Sequence, residues 1–249
     1  MKVSIITPVY NAARFLRATA KSVFGQSYAD WEWLLIDDCS SDNSWTVMQE
    51  LAETDKRVRI YQNATNLRAG KTRNRAIELA EGRFIAFLDS DDLWHVDKLK
   101  LQISFMLDNN YFFSHTSYGY LDEEGNKIKN ILHVSKEVDY NHLLKYTEIS
   151  CLTAVYDVMN IGKWYMSEHA RKQDYALWLS ILKSGVKSYG LDQELAYYRQ
   201  VKGSATSKKY KLIWKHVTFL KQTQGFSTLK SIYYTSYWMV NGFIRYFIK

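Results

Sequence analysis

FIAFLDSDDLW (84–94) runs five apolar residues straight into three aspartates, Asp89, Asp91 and Asp92. A short run that is apolar throughout predicts a strand buried on both faces, as in a parallel sheet. The carboxylates then gather at the strand's end. Like charges so close repel, and they stay ionised together only with something positive between them.

Upstream the same pattern recurs. VSIITP (3–8), WLLID (33–37) and VRIY (58–61) read as strands, FIAFL (84–88) as the fourth. Between them, 12–24, 40–53 and 70–80 read as helices, and 95–108 follows the acidic run. Phe15, Thr19 and Val23 repeat at spacing four; Ile77 and Ala80 face inward; Leu99, Ile103, Met106 and Leu107 share a face. A Ser/Asp/Asn-rich stretch opens the second helix and Gly82 lies just beyond the third. Strands alternating with helices predict an α/β fold, a mostly parallel Rossmann-like sheet flanked by helices.

The second half is less regular. Residues 111–128 read as strand, turn and strand around EGN, 136–146 as helix, 151–156 as strand, 173–185 as a helix closed by glycine, and 195–199 as a last strand. Antiparallel pieces on a parallel sheet are common. The expected organisation is one body, 1–204, with a basic, aromatic, helical extension, 205–249.

Size and composition agree. The 249 residues suit one large domain, and 47% hydrophobic with 24% charged residues excludes a disordered or fibrous chain. Two cysteines, Cys39 and Cys151, make no disulfide framework and fit a reducing compartment. No apolar run approaches 18 residues, and the N-terminus reads as a strand rather than a signal peptide. Of the 33 Lys and Arg residues, ten lie in 195–249, which has no acidic residue. The first 194 residues thus hold 23 basic against 26 acidic side chains, a net of −3. The +7 overall charge belongs to the extension, which argues against a nucleic-acid binder.

In an open parallel sheet, ligands bind beyond the carboxyl ends of the strands. The polar sequences there are TPVYNA, DDCSSDNS, YQNATN and DSDD. Asp89 and Asp91, in an Asp-x-Asp unit, could hold one hard cation, Mg2+ or Mn2+ rather than zinc, against a diphosphate, or could form a solvated turn. Asp37 and Asp38 could accept the N–H of a pyrimidine or the hydroxyls of a ribose, or cap a helix. One or two of Lys71, Arg73 and Arg75 could reach a diphosphate. Neither GxGxxG nor GxxxxGK[ST] occurs, which weakens dinucleotide and ATPase readings. Asp174, at a helix start, is a cap or a general base. The histidines lack metal-ligand spacing and read as surface or packing residues. Cys39 reads as a small buried filler.

Three stretches together, VSIITPVYNAARFLRATAKSVFGQSYADWEWLLIDDCSSDNS (3–44), AGKTRNRAIELAEGRFIAFLDSDDLW (69–94) and QDYALWL (173–179), closely resemble family 2 glycosyltransferases of the GT-A fold, among them enzymes of bacterial surface polysaccharides. The resemblance spans residues 2–200. It implies that Pro8, Tyr10 and Asp38, with Asp37 nearby, hold the uracil, and that Lys71 and Arg73 lie near base or diphosphate. It implies that Asp89 leans towards the ribose, that Asp91 holds Mn2+ or Mg2+, with Asp92 an extra carboxylate, and that Asp174 is the base. The family's Glu-Asp pair reads Gln173–Asp174 here. The Gln-x-x-Arg-Trp motif and membrane spans of processive members are missing. The resemblance thus implies inverting, metal-dependent transfer of a single sugar from a nucleoside-diphosphate sugar, UDP-linked, to a hydroxyl of a glycan or lipid-linked acceptor.

In the extension, SKKYKLIWKHVTFLK (207–221) and STLKSIYYTSYWMVNGFIRYFIK (227–249) join lysines to aromatics. That suits contact with an anionic membrane surface, simple packing on the body, or stacking on nucleic acid. A cytoplasmic enzyme, peripheral on the inner face of the bacterial plasma membrane, is the expectation, with no nucleic acid as partner. Two rivals stand beside it: a sugar nucleotidyltransferase, which would release pyrophosphate, and a non-catalytic carbohydrate- or membrane-binding module.

Overall fold

The computed structural model describes residues 1–128, 130–167, 172–201 and 209–247, the last stretch with side chains from 213 to 242. His169 and the expected boundary at 204/205 lie outside the described residues, as do the side chains of Phe243, Tyr246 and Phe247. The first half is β1 (Val3–Val9), α1 (Ala13–Phe24), β2 (Trp31–Asp37), α2 (Ser44–Thr54), β3 (Val58–Gln62), α3 (Arg68–Leu79) and β4 (Phe84–Phe87). The four strands pair in parallel in the order β3-β2-β1-β4. Successive residues point to opposite faces of the sheet. Ile6, Leu34 and Ile85 join one buried cluster, while Ile5, Leu35 and Ala86 join the other. Both faces are covered, so these strands need no polar side, and their sequence is apolar throughout.

The chain continues as β5 (Leu93–Trp94), α4 (Lys98–Asp108), β6 (Phe113–Leu121), β7 (Glu137–Val138), α5 (Tyr140–Lys145), a 3-10 turn (Cys151–Thr153), β8 (Val155–Asp157), α6 (Val158–Ile161), α7 (Gln173–Lys183), β9 (Ser188–Arg199), α8 (Lys209–Gln224) and α9 (Thr228–Phe247). The sheet extends as β4-β8-β6-β9-β5, with β7 also on β9. β8 is antiparallel to β4 and β6, and β6 runs parallel to β9. α1, α2 and α4 cover one face; α3, α5, α7 and α8 cover the other.

Several expectations change. The second helix starts at Ser44 because Asp42 accepts from Ser44 N (2.9 Å) and Ala13 N (3.1 Å), which keeps 40–43 as a turn. Leu16 rather than Phe15 carries the buried stripe of α1 with Thr19, Ala20 and Val23. Leu107 is exposed, off the inner face of α4. After the EGN turn, where Gly125 takes φ +94° as glycine readily does, the isolated bridges Leu121–Lys127 and Tyr118–Leu132 continue the hairpin among the described residues. The expected strand 151–156 splits into a 3-10 turn and β8, and the last strand begins at Ser188, not Leu195. Cys39 is exposed with φ +64°, a turn residue rather than a buried filler.

The extension packs. Val217, Phe219 and Leu220 of α8 are buried, as are Ser231 and Thr235 of α9, while Leu229, Ile232, Tyr233 and Val240 face outward. No helix among the described residues is long and apolar enough to cross a membrane.

Candidate active site

The strand order reverses between β1 and β4, and their pairing ends at Ile6–Phe87. A crevice at such a switch point is where an open α/β sheet receives ligands. Pro8, the one proline, sits just past that pairing, where its missing N–H is least costly.

On one side of the crevice, Val9 stands opposite Asp37, and Asp38 N donates to Val9 O at 2.7 Å. Tyr10 is exposed beside them. Asp37 and Asp38 are buried and engaged. Asp38 Oδ1 accepts from Asn63 Nδ2 and Leu67 N, each at 2.8 Å, which ties β2 to the loop ahead of α3. Asp37 Oδ2 accepts from Gln62 Nε2 and Ser40 N, while its buried Oδ1 has no partner among the described residues. Asn63 also reaches Thr72, so one hydrogen-bonded chain runs from β2 to α3.

The three basic residues near the start of α3 separate as their spacing predicts. Lys71 is exposed; Arg75 donates to Gln62 O and Asn63 Oδ1; Arg73, 9% exposed, forms an ion pair with Asp89. Burial opposes the charge on Arg73, but Asp89, with Asp174 further off, holds it protonated.

The acidic loop is fastened from two sides. Thr19 Oγ1 of α1 donates to Ser90 O and Asp92 O, both at 3.0 Å. Arg199, at the end of β9, donates through Nε to Asp91 O (2.7 Å) and through its backbone N to Asp92 Oδ1 (2.8 Å). Asp92 is thus a buried strut. Burial, then Asp91 and Asp89, push its carboxyl well up. Burial and Asp89 push the Asp91 carboxyl up to about 6. The paired carboxyl groups of Asp89 and Asp91 offer the hard oxygen donors that suit a divalent cation. Among the described residues no group of three or more acidic, His or Cys side chains could hold a metal unaided. Ligand and water oxygens would have to complete its shell.

Asp174 lies in the first turn of α7, 85 residues beyond Asp89, yet the fold brings the two within electrostatic reach. Burial raises its carboxyl; the Tyr175 N–H, Arg73 and Lys172 oppose that, and Asp89 adds to it. Gln173 packs on Gly70 of α3. Cys151 lies beneath, buried, its thiol pushed well up by burial despite Arg73. Sequence reasoning named neither Arg199 nor Lys172 as part of this site. Arg199 had a weak signal, a cation closing a strand; Lys172 had only its position before Asp174.

The sequence profile of glycosyl transferase family 2 matches residues 4–169. WfaP of Escherichia coli, a UDP-Glc:alpha-D-GlcNAc-diphosphoundecaprenol beta-1,3-glucosyltransferase, is 35% identical over 247 residues, 98% of this chain and 95% of that protein. WfgD of Escherichia coli, of the same described activity, is 40% identical over 210 residues, 84% of this chain and 81% of that protein. The crystal structure of S. aureus TarS 1–349 in complex with UDP-GlcNAc matches with a TM-score of 0.73 at 19% identity, over 98% of this chain and 73% of that one. At that identity the likeness establishes the fold, the mostly parallel GT-A sheet. With its profile match and relatives 35–40% identical over most of its length, this chain belongs to glycosyl transferase family 2 and is a glycosyltransferase.

Proposed function

We propose that the chain transfers a single sugar, with inversion, from a UDP-linked donor to a hydroxyl of a glycan or lipid-linked glycan, in the synthesis of a bacterial cell-surface polysaccharide. The convergence of Asp89, Asp91, Arg73 and Asp174 beyond the carboxyl ends of the parallel strands carries this reading. The UDP-glucose donor and lipid-diphosphate acceptor in the names of the two E. coli relatives support it.

In this reading Pro8, Tyr10, Asp37 and Asp38 line the base and ribose end of the donor, and Lys71 and Arg73 lie towards its diphosphate. Asp89 and Asp91 would hold Mn2+ or Mg2+, which when bound would supply positive charge beside the donor's diphosphate. Arg73 adds fixed positive charge to the same region. Asp174 takes the proton of the acceptor hydroxyl as its oxygen attacks the anomeric carbon. The bond from that carbon to the diphosphate oxygen breaks in the same displacement, so configuration inverts. One base suffices, unlike the two carboxylates of a glycosidase. The outward face of α9, with Leu229, Ile232, Tyr233 and Val240, meets the inner leaflet, where a lipid-linked acceptor resides.

The test is a panel of UDP- and GDP-sugars with a lipid-diphosphate-linked sugar as acceptor. UDP release that requires both acceptor and Mn2+ or Mg2+ is expected. Pyrophosphate release would favour a nucleotidyltransferase, and metal-independent silence towards every donor a binding module.

A further inference from the structure

α9 is amphipathic the wrong way round for a helix that only packs on a body. Its inner face carries Ser231 and Thr235, both buried, whose hydroxyls turn back onto Ser227 O (3.0 Å) and Ser231 O (2.7 Å). Leu229, Ile232, Tyr233, Tyr237 and Val240 recur at helical spacing on the outer face, with Leu229 82% and Val240 56% exposed.

A cavity of about 370 Å3 opens along one flank of that stripe, with Glu137, Asp139, His142, Lys145, Tyr146 and Tyr237 in its walls. Tyr237 belongs to both, and its ring meets Tyr233 edge-on at 5.2 Å. The walls are tied together. Asn241 Nδ2 of α9 donates to Lys145 O of α5 at 3.1 Å. His142 packs on the Tyr146 ring, and its Nε2 lies 3.4 Å from Oε2 of the buried Glu148. Glu148 in turn accepts from Ser135 N and Oγ, each at 3.1 Å.

The cavity holds charges of both signs. Lys145 Nζ stands 5.1 Å from the centre of the Tyr237 ring and has no carboxylate partner among the described residues. Lys230, exposed, lies two turns before Tyr237 on the same flank of α9. Glu137 is already paired with Lys187 at 2.6 Å. Asp139 caps α5, its Oδ1 accepting from His142 N at 2.7 Å, which leaves its second oxygen for a ligand.

We infer that this cavity takes the head group of an ethanolamine phospholipid. Lys145 meets the phosphodiester, Asp139 meets the primary ammonium, and the acyl chains lie along the α9 stripe. The inference rests on the reading that α9 meets the membrane.

A primary ammonium gives Asp139 charge-assisted hydrogen bonds that a quaternary head group cannot. The ten basic and no acidic residues of 195–249 draw anionic lipid of any kind, so that attraction does not choose among neutral lipids, and the cavity does. A second copy of the chain is a poorer occupant, because it would bring the same positive extension against this face.

The test is co-sedimentation of the full chain with two sets of vesicles. Both contain the same fraction of phosphatidylglycerol; the remainder is phosphatidylethanolamine in one and phosphatidylcholine in the other. Wild type should favour the ethanolamine vesicles by about fivefold in partition coefficient, as one exposed charged pair supplies. Asp139→Asn keeps the helix cap and removes the charge, so the preference should fall to near unity with choline vesicles bound as before. Lys145→Gln should weaken binding to both sets, and Ile232→Ser with Val240→Ser should abolish it. Equal partition of wild type, a preference that survives in Asp139→Asn, or unchanged binding by Lys145→Gln overturns the inference and leaves the membrane reading standing. Wild type that binds neither set rejects the membrane reading and the inference together. A dimer in sedimentation velocity that is lost in the Ile232, Val240 variant would place a second copy on the stripe and overturn the inference as well.

Discussion

Gln173 lies flat on Gly70: a Cβ built on residue 70 would stand 2.5 Å from both Cδ and Oε1 of that side chain. The contact joins α3, which carries Arg73, to the first turn of α7, which carries Asp174. Gln173 stands where the resemblance implies a glutamate, and its amide packs here without adding charge beside Arg73 and Asp89.

Gly70→Ala should therefore separate folding from catalysis. Alanine favours a helix by about 1 kcal/mol over glycine, and the side chain it displaces is the flexible end of Gln173. Thermal stability should hold or rise while kcat falls several-fold through a displaced α7 terminus. Equal turnover would show that the contact does not position Asp174.

Asp174→Asn keeps shape and removes the proton acceptor. Donor binding by calorimetry should match the wild type, while transfer should drop about 100-fold or more. Unchanged transfer would remove Asp174 from the chemistry.

Asp91→Ala should abolish the part of donor binding that depends on Mn2+ or Mg2+. Arg199→Ala should do less, because Arg199 holds the loop through Asp91 O and, by Nη1, through Asp122 O and Glu123 O. Losing those bonds should weaken metal-dependent donor binding by about 1–3 kcal/mol. Titrations of UDP at fixed Mn2+ rank the two variants, and an Arg199→Ala that binds like wild type would contradict the role given to the strut.

Lys98 gives a pH signature remote from the chemistry. It is fully buried, donates to Gln102 Oε1 at 2.7 Å, and burial lowers its pKa to about 7. The unfolded chain would hold this proton up to its ordinary pKa of 10.5, so between pH 7 and that value it binds more protons than the folded chain. Stability should rise with pH across that window, by at most ~1.4 kcal/mol per unit from this group. Urea midpoints between pH 7 and 9 should climb more steeply for wild type than for Lys98→Met; parallel slopes would show that Lys98 stays charged in the fold.

The parts of the fold legible in sequence were those with one dominant signal. β1, β2 and β4 are buried on both faces, so their apolar runs stood out, and the acidic loop followed directly. β9 was half missed because Gly190, Leu191, Asp192 and Gln193 alternate neither apolar nor polar; its pairing with β6 is irregular and shifts register at Thr116–Ser117. The 3-10 turn at Cys151 reads as strand in the sequence because three apolar or β-branched residues carry no mark of their backbone. By residue type Cys39 reads as an inside residue, whereas its positive φ turns the chain outward after β2.

By itself the sequence determined the parallel core and the carboxylates at its ends, because strand burial and the chemistry of an aspartate are local properties of the chain. Tertiary structure alone decided that Arg73 pairs with Asp89, that Arg199 fastens Asp91 and Asp92, and that Lys172 lies in a slot made by His216 and Trp238. Those partners are separated by 16 to 108 residues, and no periodicity in a linear pattern encodes which distant side chains an open sheet and its covering helices bring together.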